Sequence, residues 1–269
     1  MRVFALSDVH VDYPENLEWL LSLSDTNYQH DVLILAGDVS DDLQKLRVVF
    51  EALLSKFLKV LFVPGNHELW VQESDFTCSL DKLAAIDALC SQLGICNSTY
   101  HHGSVSFVPL LSWYDFSFAT PDRHLRRAWR AFRACKWPSE LDNCDSINRF
   151  FLGKNTENLN IKNDTVISFS HFLPRIDVMP ERIPEHKRRV YPVLGSEMLG
   201  EQVRELNPDI HIYGHSHVNR SVSLNNILYV NNAFAYPQED RISRKKLHCV
   251  FAQDQRQDSI KEADTRCYS

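Results

Sequence analysis

The sequence predicts an α/β fold with buried sheets, and three observations carry that prediction. Seven short, β-prone apolar runs recur along the 269 residues, at 3–6, 32–36, 60–63, 105–111, 166–169, 210–213 and 227–230. The first three are separated by stretches whose apolar residues fall three or four apart, the spacing of one helix face. Several runs end on Gly, Asp, Asn or His, which interrupt strands and also carry chemistry. Strands that alternate with helices pair in sheets covered on both faces.

Each element follows in order. After the first run, Pro14 suits the opening turn of a helix carrying Leu17, Leu20 and Leu21. The second run precedes Leu43, Leu46, Phe50, Leu53, Leu54 and Phe57, one helical face. The third precedes another, made of Leu80, Leu83, Ile86, Leu89 and Leu93. Residues 113–163 break this rhythm with an arginine-rich helical pattern at 123–133 and a polar run at 154–163. They read as an insertion or cap over one face of a single domain spanning 1–252. A last helical face, Met198, Leu199, Val203 and Leu206, lies between the runs at 166–169 and 210–213. From residue 210 onward, strands follow one another through Asn-rich turns without helices, which predicts a hairpin or meander and a mixed sheet. Residues 253–269 read as a polar tail.

Composition sets limits. Hydrophobic residues at 44% and charged residues at 24% are the proportions of a folded domain and exclude disorder throughout. A formal charge of −6 gives no basic overall surface and so disfavours a nucleic-acid partner. Seven cysteines are scattered without a C-x-x-C pair, which argues against a disulfide framework or a cysteine zinc site. No apolar stretch approaches the roughly 18 residues of a membrane span, and the first apolar run is too short for a signal-peptide core. The expected location is cytoplasmic.

Residues able to bind metal collect at the ends of the apolar runs. Asp8-Val9-His10 follows the first, Gly37-Asp38 the second, and Gly65-Asn66-His67-Glu68 the third. His171 closes the run at 166–169, and Gly214-His215-Ser216-His217 follows the run at 210–213. Ligands of α/β proteins bind at the carboxyl ends of strands, so these clusters converge on one site. In extended backbone residues i and i+2 project to the same side, which lets Asp8 and His10 grip one ion together. Asp8, His10, Asp38, Asn66, His171, His215 and His217 fill two metal sites if Asp38 bridges. Imidazole and oxygen donors without thiolate favour Mn, Fe or Zn over Ca or Mg.

The ordered motifs D-x-H, G-D, G-N-H-E, H and G-H-x-H, spanning residues 8 to 217, resemble the calcineurin-like metallophosphoesterase superfamily. The resemblance implies two mixed sheets packed as a central sandwich between helices, a four-layer arrangement. It implies one metal held by Asp8, His10, Asp38 and His217, and a second held by Asp38, Asn66, His171 and His215. It implies hydrolysis of a phosphate mono- or diester by a hydroxide bridging the two ions. His67 then matches the histidine that protonates the leaving group, and Asp41 the carboxylate that orients it. One departure stands out. The phosphoprotein phosphatase branch carries a phosphate-binding arginine where this sequence has Asp42, which points away from phosphoproteins toward diesters or small phosphorylated substrates.

Taken singly these motifs have bland alternatives: Gly37-Asp38 is most often an ordinary turn, and His171 alone a satisfied core histidine. Their order and placement at strand ends carry the joint reading. His101-His102 precedes Gly103 and fits no motif, so it reads as a solvated turn. Trp113 and Tyr114 read equally as pocket wall or aromatic core. The arginines at 123, 126, 127, 130 and 133 read first as a solvated helix and second as a cap for an anionic substrate. Arg175, Asn219 and Arg220 are the expected substrate contacts, from their nearness to His171 and His217. The rival readings are a nuclease, which the arginine helix keeps open, and a non-catalytic scaffold of the same fold.

Overall fold

The computed structural model describes residues 1–253 and arranges their ten strands in two sheets. The expected polar tail lies outside the described residues, Gln253 excepted. In the first sheet β1 (Arg2–Leu6), β2 (Val32–Ala36) and β3 (Lys59–Val63) run parallel, and β10 (His248–Ala252) closes the edge antiparallel to β1. The second sheet has the order β4 (Tyr100–His102), β5 (Val105–Pro109), β6 (Thr165–Phe169), β7 (Ile210–Tyr213), β9 (Ile227–Asn231) and β8 (Arg220–Leu224). Its four inner strands are parallel and its two edges antiparallel. All seven predicted runs are strands. The three unpredicted ones, β4, β8 and β10, are edge strands with no continuous buried face.

Side-chain alternation builds the layers. Val3, Ala5, Ile34 and Leu61 point from the first sheet toward Phe107, Ile167, Phe169 and Ile212 of the second, forming a core between the sheets. The alternate residues Phe4, Leu6, Leu33, Leu35 and Phe62 face outward under α1 (Pro14–Leu21), α2 (Leu43–Leu54) and α3 (Ser79–Leu93). On the far side Val108, Val166, Tyr213 and Tyr229 pack against Leu199, Val203 and Leu206 of α7 (Glu197–Leu206). Each large side chain so buried contributes about 1.5–3 kcal/mol. The result is the four-layer α/β/β/α sandwich.

The arginine-rich stretch differs in detail from one continuous helix. It forms α4 (Arg123–Ala128) and α5 (Ala131–Ala134), broken at Trp129, and is followed by α6 (Cys144–Gly153). These helices sit on an aromatic cluster of Trp70, Trp113, Tyr114, Phe151 and Phe172, so Trp113 and Tyr114 are core. His101-His102 is no turn: both residues belong to the edge strand β4, where His101 Nδ1 meets Ser106 Oγ at 2.8 Å. The Asn225-Asn226 pair takes φ of 53° and 65°, the backbone of a type I′ turn, and joins β8 to β9.

Candidate metal centre and active-site cleft

Every predicted metal-binding residue stands just past the carboxyl end of a parallel strand: Asp8 and His10 after β1, Asp38 after β2, Asn66 after β3, His171 after β6, His215 and His217 after β7. The loops bearing them are stitched together. Asp8 and His10 donate backbone N–H bonds to the carbonyls of Gly37 (2.9 Å) and Asp38 (3.1 Å). The His215 N–H donates to Asp8 Oδ1 at 2.9 Å, and the His67 N–H to Asp38 Oδ1 at 2.9 Å. Gly37 is required by close approach: at φ 80° it lies where an added Cβ would come 2.5 Å from His171 Nδ1.

The backbone holds these side chains under strain. Asp8, His10, Asp38, His215 and His217 have φ of 52°, 46°, 54°, 67° and 57°, the left-handed region that L-residues avoid. Each such residue costs of order 1–3 kcal/mol and persists where surrounding bonds over-determine it, typically at functional sites. The strain turns five of the expected metal-binding side chains into one space.

Their side chains meet in three groups: Asp8, His10 and His217; His10, Asp38 and His67; and Asp38, His171 and His215. His10 Nε2 lies 3.2 Å from His217 Nε2, and His171 Nε2 lies 3.0 Å from His215 Nδ1 and 3.3 Å from Asn66 Oδ1. Asp8 Oδ1 is 3.4 Å from His217 Nε2, and Asp38 Oδ2 is 3.4 Å from His171 Nε2. For His171, His215 and His217 the opposite ring nitrogen is already engaged. His171 Nδ1 donates to the Ala36 carbonyl at 2.9 Å, His215 Nε2 to the Val193 carbonyl at 2.9 Å, and His217 Nδ1 to Glu239 Oε2 at 2.6 Å. Donating outward leaves lone pairs facing inward, the tautomer that outer-shell partners impose on metal-binding histidines. Lone pairs this close repel unless a cation or proton lies between them, so the donor set fits metal.

Electrostatics agree with that fit. Burial opposes ionisation of Asp8 and Asp38, yet His217 draws Asp8 below its ordinary value, and His171 then His67 hold Asp38 well below. Burial also opposes charge on His171 and His217, but the facing carboxylates raise them to about 9 and about 10. Burial pushes His215 down to about 3 and His10 well below its usual value. Two buried carboxylates thus impose a field that attracts positive charge.

Outside this cluster opens a cleft of about 560 Å³, walled by His10, Asp12, Asp41, Lys45, His67, Trp70, Trp129, Arg130 and Tyr236. His67 lies against Trp70 with ring centroids 3.6 Å apart, and its Nε2 is 3.8 Å from Asp38 Oδ2. Asp41 lines the same cleft, but among the described residues no hydrogen bond joins it to His67; it acts on the imidazole through its charge. The arginine-rich segment does reach the site: Trp129 stands edge-on to His215, and the Arg130 guanidinium lies 4.5 Å above Trp70.

Arg175, Asn219 and Arg220 do not line this cleft. Arg175 pairs with Asp177 at 2.5 Å, Asn219 donates to Asn232, and Arg220 caps the carbonyls of Val178 and Met179. Both guanidinium groups and the Asn219 side-chain NH₂ are engaged within the protein rather than turned to the cleft. Three residues were missed in the sequence. Glu68 is fully buried, and its carboxylate accepts backbone N–H bonds from Gly65 (2.6 Å), Asp38 (2.9 Å), Val39 (2.7 Å) and Ser40 (3.1 Å). It pins the loop after β2 to the loop after β3; its place inside G-N-H-E was the available signal. Glu239 holds His217 and Tyr236 stacks on His10 at 4.5 Å, and neither sits in a motif.

With fold and site in view, the chain belongs to the calcineurin-like phosphoesterase family, whose model matches residues 1–219. That family is one of metal-dependent phosphoesterases, and the chain carries Asp/His clusters able to bind metal. It is similar to the [acyl-carrier-protein] phosphodiesterase PptH of Mycobacterium tuberculosis, 32% identical over 126 residues, 43% of this chain and 38% of that protein. The crystal structure of phosphopantetheinyl hydrolase (PptH) from Mycobacterium tuberculosis shares its fold, with a TM-score of 0.76 and 21% identity over 94% of this chain and 97% of that one. No helix among the described residues is long and apolar enough to cross a membrane.

Proposed function

We propose that the chain hydrolyses phosphodiesters at a dinuclear metal centre. One ion is held by Asp8, His10, Asp38 and His217, the other by Asp38, Asn66, His171 and His215. The observation that carries this reading is the inward convergence of imidazole nitrogens at 3.0–3.2 Å while the outward nitrogens of His171, His215 and His217 are bonded elsewhere. Divalent cations bound there supply Lewis acidity, acidifying water toward neutral pH and neutralising phosphate oxygens. Mn, Fe or Zn suits these donors.

The chain's own side chains complete the reaction. Cleavage of the ester bond leaves an alkoxide that needs a proton. The ring nitrogens of His67 have no hydrogen-bond partner among the described residues, and its side chain is 12% exposed at the cleft. Both features support His67 as the group that gives the proton. Trp70 fixes its plane; burial lowers the imidazole below its ordinary value, and the Asp38 and Asp41 charges offset part of that shift. Arg130 and Lys45 set positive charge on the cleft wall, with Lys45 shared by Asp12 at 2.9 Å. No side chain acts as nucleophile, so no phosphoenzyme forms.

Two facts favour a diester. Asp42 caps α2 by accepting from the Gln44 and Lys45 N–H groups, so no cation stands there to clamp a dianionic monoester. The relative's activity is that of a diesterase acting on acyl carrier protein. The substrate class we assign is therefore a phosphodiester borne by a protein-attached prosthetic arm. The test is hydrolysis of a chromogenic phosphomonoester and its diester, side by side, on chelator-stripped protein with added Mn²⁺. Diester preference that vanishes in Asp38→Asn supports the reading, and monoester preference contradicts it.

A further inference from the structure

We propose that the exposed basic face formed by residues 122–136 and 181–189 docks an acidic protein, whose phosphodiester-linked arm then enters the cleft; this rests on the protein-borne diester reading above. In a chain of formal charge −6, residues 122–136 hold six Lys and Arg against one acid. Residues 181–189 hold four against two. The two segments are tied by the Arg189–Asp122 ion pair at 2.8 Å and share a recess bordered by Asp122, His186, Arg188 and Arg189. The basic charge is therefore concentrated, while the rest of the molecule is strongly acidic.

Most of these cations have no carboxylate partner among the described residues, although Arg126 lies over Phe116 and Arg130 over Trp70. Arg123, Arg126, Arg127, Arg130 and Lys187 are exposed, and among the described residues none pairs with a carboxylate. Exposed charge held without internal partners costs self-repulsion and gives steering toward an opposite surface. The face is also continuous with the active site. The residues that follow α4 directly, Trp129 and Arg130, wall the cleft, together with Ala128 at the helix end. A partner seated on α4 would thus stand at the mouth, one short arm away from His67.

The distribution favours a protein over a nucleic acid. A polynucleotide carries phosphates on both sides of the scissile bond and needs cations along both rims. Beyond the basic segment the cleft wall carries the carboxylates Asp12 and Asp41, with Lys45 already paired to Asp12. A single arm projecting from an acidic protein needs positive charge on one side only, which is what this surface supplies.

The test uses the full chain and the triple variant Arg123→Glu/Arg127→Glu/Lys187→Glu; none of these residues lines the cleft. Both proteins are assayed on a small chromogenic diester and on holo acyl carrier protein at low salt and at high salt. The proposal predicts small-diester kcat/KM within about twofold of the parent, and carrier-protein kcat/KM reduced at least about tenfold at low salt, as expected for loss of electrostatic steering. That difference shrinks at about 0.5 M salt, where charges are screened beyond a few ångströms. Equal carrier-protein turnover by parent and variant overturns the docking face and leaves the substrate reading intact. Small-diester activity without any carrier-protein turnover by the parent overturns the substrate reading and the docking face with it. Tighter binding of single-stranded DNA than of apo acyl carrier protein, lost in the variant, reassigns the face to nucleic acid and overturns the proposal.

Discussion

Replacing Glu68 by Gln tests how this site is held in register. The carboxylate is fully buried, with Oε1 accepting from Val39 and Ser40 and Oε2 from Gly65 and Asp38. An amide of the same shape keeps one acceptor oxygen and turns an NH₂ group against two backbone N–H donors. Two buried donors are left unsatisfied at about 1–3 kcal/mol each, a loss of about 2–6 kcal/mol. For a domain of this size that lowers Tm by about 2–4 °C per kcal/mol, or roughly 5–20 °C. The pinned loops carry Asp38 and Asn66, so affinity for Mn²⁺ falls as well. Thermal unfolding of the metal-free proteins and calorimetric Mn²⁺ titration measure the two effects separately. A variant that melts within a degree or two of the parent and binds Mn²⁺ equally would refute the argument that Glu68 registers the loops.

Four further outcomes follow. Glu239→Gln weakens the acceptor that fixes His217 Nδ1 and should lower metal affinity by about 10–100-fold, with little change in Tm because Glu239 is 28% exposed; unchanged affinity in a Mn²⁺ titration contradicts this. His67→Ala should retain full metal content by elemental analysis while kcat falls about 10²–10⁴-fold; loss of metal instead would make His67 a ligand. Gly37→Ala, whose new Cβ meets His171 at 2.5 Å in a left-handed conformation, should lose metal and activity together; wild-type turnover would show that the loop yields freely. Burial holds His211 neutral and lowers it to about 3, so its folded value lies below the unfolded 6.5. Its contribution to stability is complete above pH 6.5 and is lost as pH falls toward 3, at about 1.4 kcal/mol per unit. Chemical denaturation of His211→Gln from pH 7 to 4 should show a shallower decline than the parent, and parallel curves would sink the assignment.

The strand-end positions of the candidate ligands were legible because each follows an apolar run patterned as a buried strand, as Val32 to Ala36 before Asp38 illustrates. The register of the sheets then brings strand ends together without further information. Edge strands such as β4 and β10 were invisible because half-exposed backbone imposes no hydrophobic period. Nearness in sequence misled at Arg175 and Arg220, whose partners Asp177, Val178 and Met179 come from loops that leave the cleft. Glu239 and Tyr236 gain their roles only when the chain after β9 returns beside β1, a tertiary event without a local pattern. The break between α4 and α5, which brings Trp129 and Arg130 to the cleft, is likewise set by the aromatic cluster beneath.

The proposed centre has seven side chains holding two ions through a shared Asp38. The metal content of chelator-stripped protein after reconstitution with Mn²⁺, in the parent and in Asp38→Asn, alongside diester turnover, decides whether it exists. Two equivalents per parent chain are expected. The variant should lose both metal and turnover. One equivalent in the parent, or full turnover in the chelator-stripped protein, would contradict it.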